Sequence, residues 1–214
     1  MDEYDEACLW ATFSSWRDEP NDGVANTAVQ TPEMIRPQMH RTLALFERYD
    51  VAESGALARR TVMQIIMAIE GDVDKYLLVH EDSADKIDVV HGGSLGPSRD
   101  YAEGLLVSDI AFANPLRRGQ RVSLNYTIEY PRRNTFHEVR RLAYGRCENV
   151  DLAITFADTA KCSQLWWSVW PNHRSEPVVF EQDLSLNQYR AAHRFLPFIE
   201  QTVVGFRWDC RGAP

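Results

Sequence analysis

The stretch RVSLNYTIEY, Arg121 to Tyr130, alternates without a break. Val122, Leu124, Tyr126, Ile128 and Tyr130 fall on one side of an extended chain. Arg121, Ser123, Asn125, Thr127 and Glu129 fall on the other. Successive Cβ atoms of a strand point to opposite faces, so this is the pattern of a strand with one buried face. Segments of similar length recur on either side of it: YLLVH (76–80), IDVVH (87–91), LLVSDIAF (105–112), FHEVRRLAY (136–144), VDLAITF (150–156), QLWWSVW (164–170), VVFEQDLSL (178–186), HRFLPFI (193–199) and VVGFRWDC (203–210). Turn residues separate most of them. The polar EDSADK between YLLVH and IDVVH reads as the loop of a hairpin.

About 8–10 short strands at this spacing predict a mainly β fold, an antiparallel, Ig-like β-sandwich. The first third reads differently. Residues 2–16 suit a short helix with Leu9, Trp10, Phe13 and Trp16 near one side, and breaker signals in 18–37 suit a linker. Met39 to Tyr49 looks helical. From Ser54, a plausible N-cap, apolar residues recur at Leu57, Val62, Ile65, Ile66 and Ile69, and Gly71 supplies a stop. The expected organisation is an acidic N-terminal segment and linker (1–37), a helical segment packed on the sandwich (38–71), and the β-sandwich domain (72–214).

At 214 residues, with 44% hydrophobic and 25% charged residues, the chain suits a soluble globular protein with a substantial core. No apolar run approaches a membrane span. The opening MDEYDEACLW is acidic where a secretory signal is basic, so the expected location is cytoplasmic, with the four cysteines free. The net charge of −8 argues against generic nucleic-acid binding. Residues 1–33 hold eight acids against one base, Arg17, so the rest of the chain is nearly neutral.

The segment LLVSDIAFANPLRRGQRVSLNYTIEY, followed by FHEVRRLAY, VDLAITF and the closing VVGFRW, resembles the C-terminal β-domain of actinobacterial XRE-type helix-turn-helix transcriptional regulators. The likeness covers roughly residues 60–210. Its signatures are the PLRRG turn, Pro115 to Gly119, and GFRW, Gly205 to Trp208. The resemblance implies a sensor or partner-binding module. Residues 1–58 lack the paired helices and basic recognition helix of the DNA-binding part.

GGSLG, Gly92 to Gly96, fits G-x-S-x-G with Ser94 at its centre. A nucleophile elbow needs a helix after the serine, and Pro97 follows instead, so Ser94 is a weak candidate. Its partners would be Asp151 or Asp183 and His193. The six histidines show no ligand spacing, although His80 and His91 would face each other across the expected hairpin. No metal and no cofactor is expected. Cys147 and Cys162 read as core residues.

The remaining candidates are arginines and tryptophans. In LWWSVWP, Leu165 to Pro171, Trp167 shares a face with Leu165 and Val169, and Trp166 shares the other with Trp170. Arg140 and Arg141 also point to opposite faces, and Arg207 alternates with Phe206 and Trp208. Arginine among aromatics stacks through its guanidinium and pairs with carboxylates. Trp166, Trp170, Arg140, Arg141 and Arg207 therefore form the expected ligand- or partner-binding set. Trp10 and Trp16 of the acidic segment are expected to cover Trp166 and Trp170, in cis or from a second copy in a homodimer. The expected function is a non-enzymatic regulatory module. It binds a partner protein, such as a DNA-binding regulator, or senses a small hydrophobic ligand between helices and sandwich. The alternative is a small enzyme of specialised metabolism, a hydrolase at Ser94 or a cyclase or isomerase, using a pocket between helices and sheet.

Overall fold

The computed structural model describes residues 39–102, 104–131, 136–143, 145–170, 178–200 and 202–210. The expected 2–16 helix, the linker, Trp10 and Trp16 lie outside these residues. Among the described residues the chain forms strands and no helix. The strands are β1 (His40–Val51), β2 (Leu57–Ala68), β3 (Val73–Glu81), β4 (Lys86–His91), β5 (Ser94–Ala102), β6 (Leu105–Leu116) and β7 (Arg121–Glu129). After them come β8 (Glu138–Ala143), β9 (Cys147–Phe156), β10 (Cys162–Trp170), β11 (Phe180–Asp183), β12 (Ala191–Ile199) and β13 (Thr202–Cys210). The fold is mainly β. No described helix is long and apolar enough to cross a membrane.

The strands form a six-stranded sheet in the order β12-β9-β1-β2-β7-β4, a four-stranded sheet β11-β10-β13-β8, and a three-stranded sheet β3-β6-β5. Neighbouring strands run antiparallel except β1 and β9, which are parallel, so the sheet arrangement is mixed rather than antiparallel throughout.

The segment expected to be helical, 38–71, holds instead the antiparallel pair β1–β2 within its described part, 39–71. Two features of the chemistry mislead the periodicity. In β1 the core-facing residues are Leu45, Glu47, Tyr49 and Val51, all 3% exposed or less, so a glutamate stands where alternation calls for an apolar residue. In β2 the inward Val62, Gln64 and Ile66 alternate with outward Met63, Ile65 and Met67. A strand apolar at both parities satisfies an i, i+3, i+4 template as readily as a helix does. The β-branched Thr61, Val62, Ile65 and Ile66 are the residues that favour the extended form.

The expected hairpin of YLLVH with IDVVH is also absent. β3 pairs with β6, and β4 pairs with β7 in a different sheet. His80 therefore meets Ser108 (Nε2 to Oγ, 2.9 Å), not His91. GGSLG lies at the corner where the chain leaves β4 for β5. Gly92 there has φ of 99°, which glycine adopts without strain.

The six- and four-stranded sheets face each other. Tyr49 meets Phe206 edge-on with centroids 6.2 Å apart, Phe156 meets Trp208 at 6.0 Å, and the Arg194 guanidinium lies over Trp167 at 5.8 Å. Trp167 is fully buried in this layer. The GFRW segment joins the layers. The Trp208 indole donates to the Gly55 carbonyl in the β1–β2 turn (2.7 Å). Gly205 lets the β8 backbone approach so closely that a Cβ there would overlap the Val139 carbonyl oxygen.

Candidate functional site

The interior of the six-stranded sheet carries a polar cross centred on Val62. Register places Val62 opposite Glu47 on β1 and opposite Tyr126 on β7, with Arg60 and Gln64 two residues away along β2 on the same face. Arg141 reaches across from β8 in the facing sheet. Glu47, Gln64 and Tyr126 are fully buried, and Arg60 and Arg141 are nearly so. Arg60 Nε donates to Glu47 Oε1, which also accepts from the Tyr49 hydroxyl (2.7 Å), while Arg141 lies 3.6 Å from Oε2. Burial alone would push the Glu47 carboxyl up. The two guanidiniums, with the hydrogen bonds from Tyr49 and Arg60, outweigh it and hold it below the ordinary range. Further out, the Tyr130 hydroxyl donates to Glu81 (2.6 Å).

A carboxylate and two guanidiniums this deep are costly unless paired, and the pairing fixes which face of β1, β2 and β8 turns inward. The Gln64 amide has no hydrogen-bond partner among the described residues. Gln64→Met is expected to leave stability unchanged or raise it by about 1 kcal/mol, read from urea unfolding. A loss of about 2 kcal/mol would show instead that the amide is bonded in solution.

The outer face of the four-stranded sheet gathers most of the residues expected from the sequence. Register aligns Trp166 with Arg207 and Arg207 with Glu138, then Ser168 with Gly205 and Gly205 with Arg140, then Trp170 with Val203. The Arg207 guanidinium lies over Trp166 (5.7 Å) and that of Arg140 over Trp170 (4.7 Å). Their carboxylates come from within the same sheet. Arg140 pairs with Glu138 at 2.7 Å, and Arg207 pairs with Glu181 of β11 at 2.9 Å. Glu181 also accepts from Ser168 Oγ (3.0 Å). Arg141 is not part of this set; it points to the opposite face, at Glu47. The acidic group expected to meet Arg140 and Arg207 thus has a source inside the sheet itself. Trp170 is 1% exposed, so this face is closed at its Trp170 end.

The open surface lies elsewhere, on the outer face of the six-stranded sheet. One transverse row runs Phe195 (β12), Asp151 (β9), Phe46 (β1), Met63 (β2) and Asn125 (β7), each paired with the next. Ile65 stands beside Met63 on the same face. Phe46, Met63, Ile65 and Phe195 are 37–45% exposed. Asp151 interrupts the row but is held. Arg48 donates to its carboxylate (2.8 Å) and to its backbone carbonyl (3.1 Å), and His193 Nε2 lies 3.2 Å from the same carboxylate oxygen. Ion pairs frame the apolar residues: Arg59 with Asp50 at one end, Arg41 and Arg146 with Glu148 at the other. Large apolar side chains exposed together within a polar frame are the composition of an interaction surface. The sequence reading missed it because Phe46, Met63 and Ile65 fell in the expected helices. The apolar residues at both parities of VMQIIM were the available signal.

Ser94 opens β5, exposed, in the three-stranded sheet. Asp151 and His193 do meet, but on β9 and β12, at the edge of the six-stranded sheet opposite to β4, the strand that leads into β5. Five strand spacings separate those edges, about 24 Å. Among the described residues the serine is followed by a strand, not a helix, and no histidine is bonded to it, so the elbow's requirements are not met. Among the described residues no cluster of His, Cys, Asp and Glu has the make-up of a metal site.

Neither a protein-family model nor a curated protein sequence matches this chain. Its fold is similar to a solved structure from Parabacteroides distasonis described as "a putative protease", with a TM-score of 0.50 and 9% sequence identity. The match covers 79% of this chain but 40% of that one, so this chain spans two fifths of the length of its structural neighbour. At that identity the likeness is one of fold.

Proposed function

We propose that this chain is a non-enzymatic regulatory module that docks a partner protein on the outer face of its six-stranded sheet. The observation that carries the reading is the row Phe195–Asp151–Phe46–Met63 with Ile65 beside it, exposed at the centre and framed by ion pairs. The partner it suits presents an apolar strip with a polar group to meet Arg48 and Asp151 at the middle. The stacked six- and four-stranded sheets are read as a β-sandwich. The likeness of PLRRG and GFRW to the C-terminal domains of helix-turn-helix regulators supports a regulatory role and makes a DNA-binding regulator the partner class of first choice. A ligand pocket against the 38–71 segment finds less support than docking on the sheet, because β1 and β2 of that segment are strands of the sheet. The protease description belongs to a chain of which this one spans two fifths, and the placement of Ser94 and His193 on strands of different sheets lends hydrolysis at Ser94 no support.

The test is a photo-crosslinking amino acid placed at position 46 or 195 in the native host, with position 189 as control. Tyr189 is 73% exposed and lies outside the row. The same polypeptide should be captured from 46 and 195, not from 189, and Met63→Glu should abolish the capture. Capture of the chain itself at both positions would make the partner a second copy. No adduct, or equal capture from 189, would remove the reading.

A further inference from the structure

The cysteines do not cluster in the sequence, but two of them meet in the fold. Register sets Cys162, the first residue of β10, directly opposite Cys210, the last residue of β13. Both thiols are free and half-buried. Their sulfurs are within hydrogen-bonding reach of each other, and Cys162 Sγ also donates to the Gln164 carbonyl (3.2 Å). Directly opposed residues of an antiparallel pair have Cα atoms about 4.5–5.5 Å apart. A disulfide spans about 4.4–6.8 Å, so the existing register accommodates the bond. The register shift between Cys162 and Gln164 marks a bulge at Ser163, whose hydroxyl donates to the Asp209 carbonyl (3.1 Å) and so fixes the approach of the two strand ends. A third group stands beside the pair. The Arg190 guanidinium donates to the Ala160 carbonyl (2.5 Å) and pulls both thiols toward their thiolates, although burial outweighs it and raises both.

We propose that Cys162 and Cys210 form a reversible cross-strand disulfide that ties the end of β13 to the start of β10. The oxidant class is a low-molecular-weight disulfide, R–S–S–R. The Cys162 thiolate attacks one sulfur, a Cys162–S–S–R bond forms, and RS⁻ leaves with the electron pair of the broken bond. The Cys210 thiolate then attacks the Cys162 sulfur, the Cys162–Cys210 bond forms, and the second RS⁻ leaves. The protein loses two electrons and the oxidant gains them. The two thiol protons end on the two released RS⁻. Cys162 is assigned the first attack because Cys210 is the harder to ionise: burial, then the neighbouring Cys162 and Asp209, push it up to about 12, against the pull of Arg190. Oxidation is consequently slow at neutral pH. The bond once made resists reduction, because high-pKa thiols are poor leaving groups. Closing it tightens the C-terminal end of β13, where Cys210 packs under Gly55 and Trp208 donates to the Gly55 carbonyl.

The full chain incubated with oxidised glutathione, then digested without reductant, tests this. The expected product has lost two hydrogens, joins the Cys162 peptide to the Cys210 peptide, and melts several degrees higher than the reduced protein. Cys147, buried 4% exposed in β9, should remain a thiol and serves as the internal control. Cys210→Ser should stop at a persistent glutathione adduct on Cys162, with its folding checked by circular dichroism. Separate glutathione adducts on both cysteines of the unmutated chain, a link from either to Cys8, or no reaction over a day at pH 9 would each overturn the proposal.

Discussion

Replacing Gly205 with alanine is expected to cost about 3 kcal/mol or more, the upper range for overpacking a filled interior. The added Cβ would overlap the carbonyl oxygen of Val139 in the adjacent strand β8. A side chain in that place could rotate away; a backbone carbonyl cannot without carrying its strand. Gly205 pairs with Ser168 on one side and Arg140 on the other, in the middle of the four-stranded sheet, so neither neighbour gives room. Movement of β8 would also withdraw Arg141 from Glu47. Urea unfolding of Gly205→Ala measures the cost, with Gly71→Ala as the control. A Cβ at Gly71 meets nothing within 4 Å, and that variant should be neutral or slightly stabilised. A loss below about 0.5 kcal/mol for Gly205→Ala would mean that β8 does not lie against β13 as described.

Glu47→Gln is expected to cost about 3–5 kcal/mol, because it leaves two buried guanidiniums without their carboxylate. Adding Arg141→Met should cost less than the sum of the two single changes, since the second removes a charge the first has orphaned. The same cluster shapes the response to acid. Glu47 has a folded pKa below its ordinary value near 4.5, so its contribution is complete above pH 4.5 and is lost as pH falls through the folded value. His40, whose ring lies 5.5 Å from that of Tyr76, acts at higher pH. Burial lowers its pKa from 6.5 to about 4, so the unfolded chain takes up the proton first and stability declines from pH 6.5 toward 4. Urea midpoints measured from pH 3 to 8 should fall in two stages. Glu47→Gln should lose the lower stage and keep the upper one. An unchanged lower stage in that variant would show that another carboxylate is responsible.

Length, turn signals and β-prone composition made ten of the strands legible, and alternation supported those that bury one face, such as β3, β7 and β9; β10 and β13 are buried at both parities and β4 buries neither face fully. β1 and β2 were not legible for a specific reason: Glu47, Arg60 and Gln64 occupy inward positions, while Phe46, Met63 and Ile65 occupy outward ones. Each inversion makes sense only with a neighbour in view, Arg60 for Glu47 and an open sheet face for Met63. β5 was hidden because SLGPSRDYA is mostly polar and holds a glycine and a proline. Pairing was less legible than strand content. Proximity in sequence suggested a hairpin for YLLVH and IDVVH, whereas the fold sends each to a different sheet. That Arg140 and Arg141 point apart followed from strand geometry alone. That Cys162 meets Cys210 required the register of β10 on β13, which no spacing rule supplies.

The parallel seam between β1 and β9 bears on how this chain is made. β1 lies inside the six-stranded sheet, with β2 on one flank and β9 on the other. On a ribosome the β1–β2 pair emerges well before β9, the partner for the other edge of β1, which starts only at Cys147. At an elongation rate of about 5–20 residues per second, that edge waits on the order of 5–20 s. During the wait it presents a row of unpaired backbone groups beside Phe46, Met63 and Ile65, an apolar edge of the kind that recruits other strands. Nascent chains of this protein should therefore depend on a chaperone that shields β1 until β9 arrives. Refolding from denaturant should lose yield as protein concentration rises, long before the native state shows any tendency to aggregate.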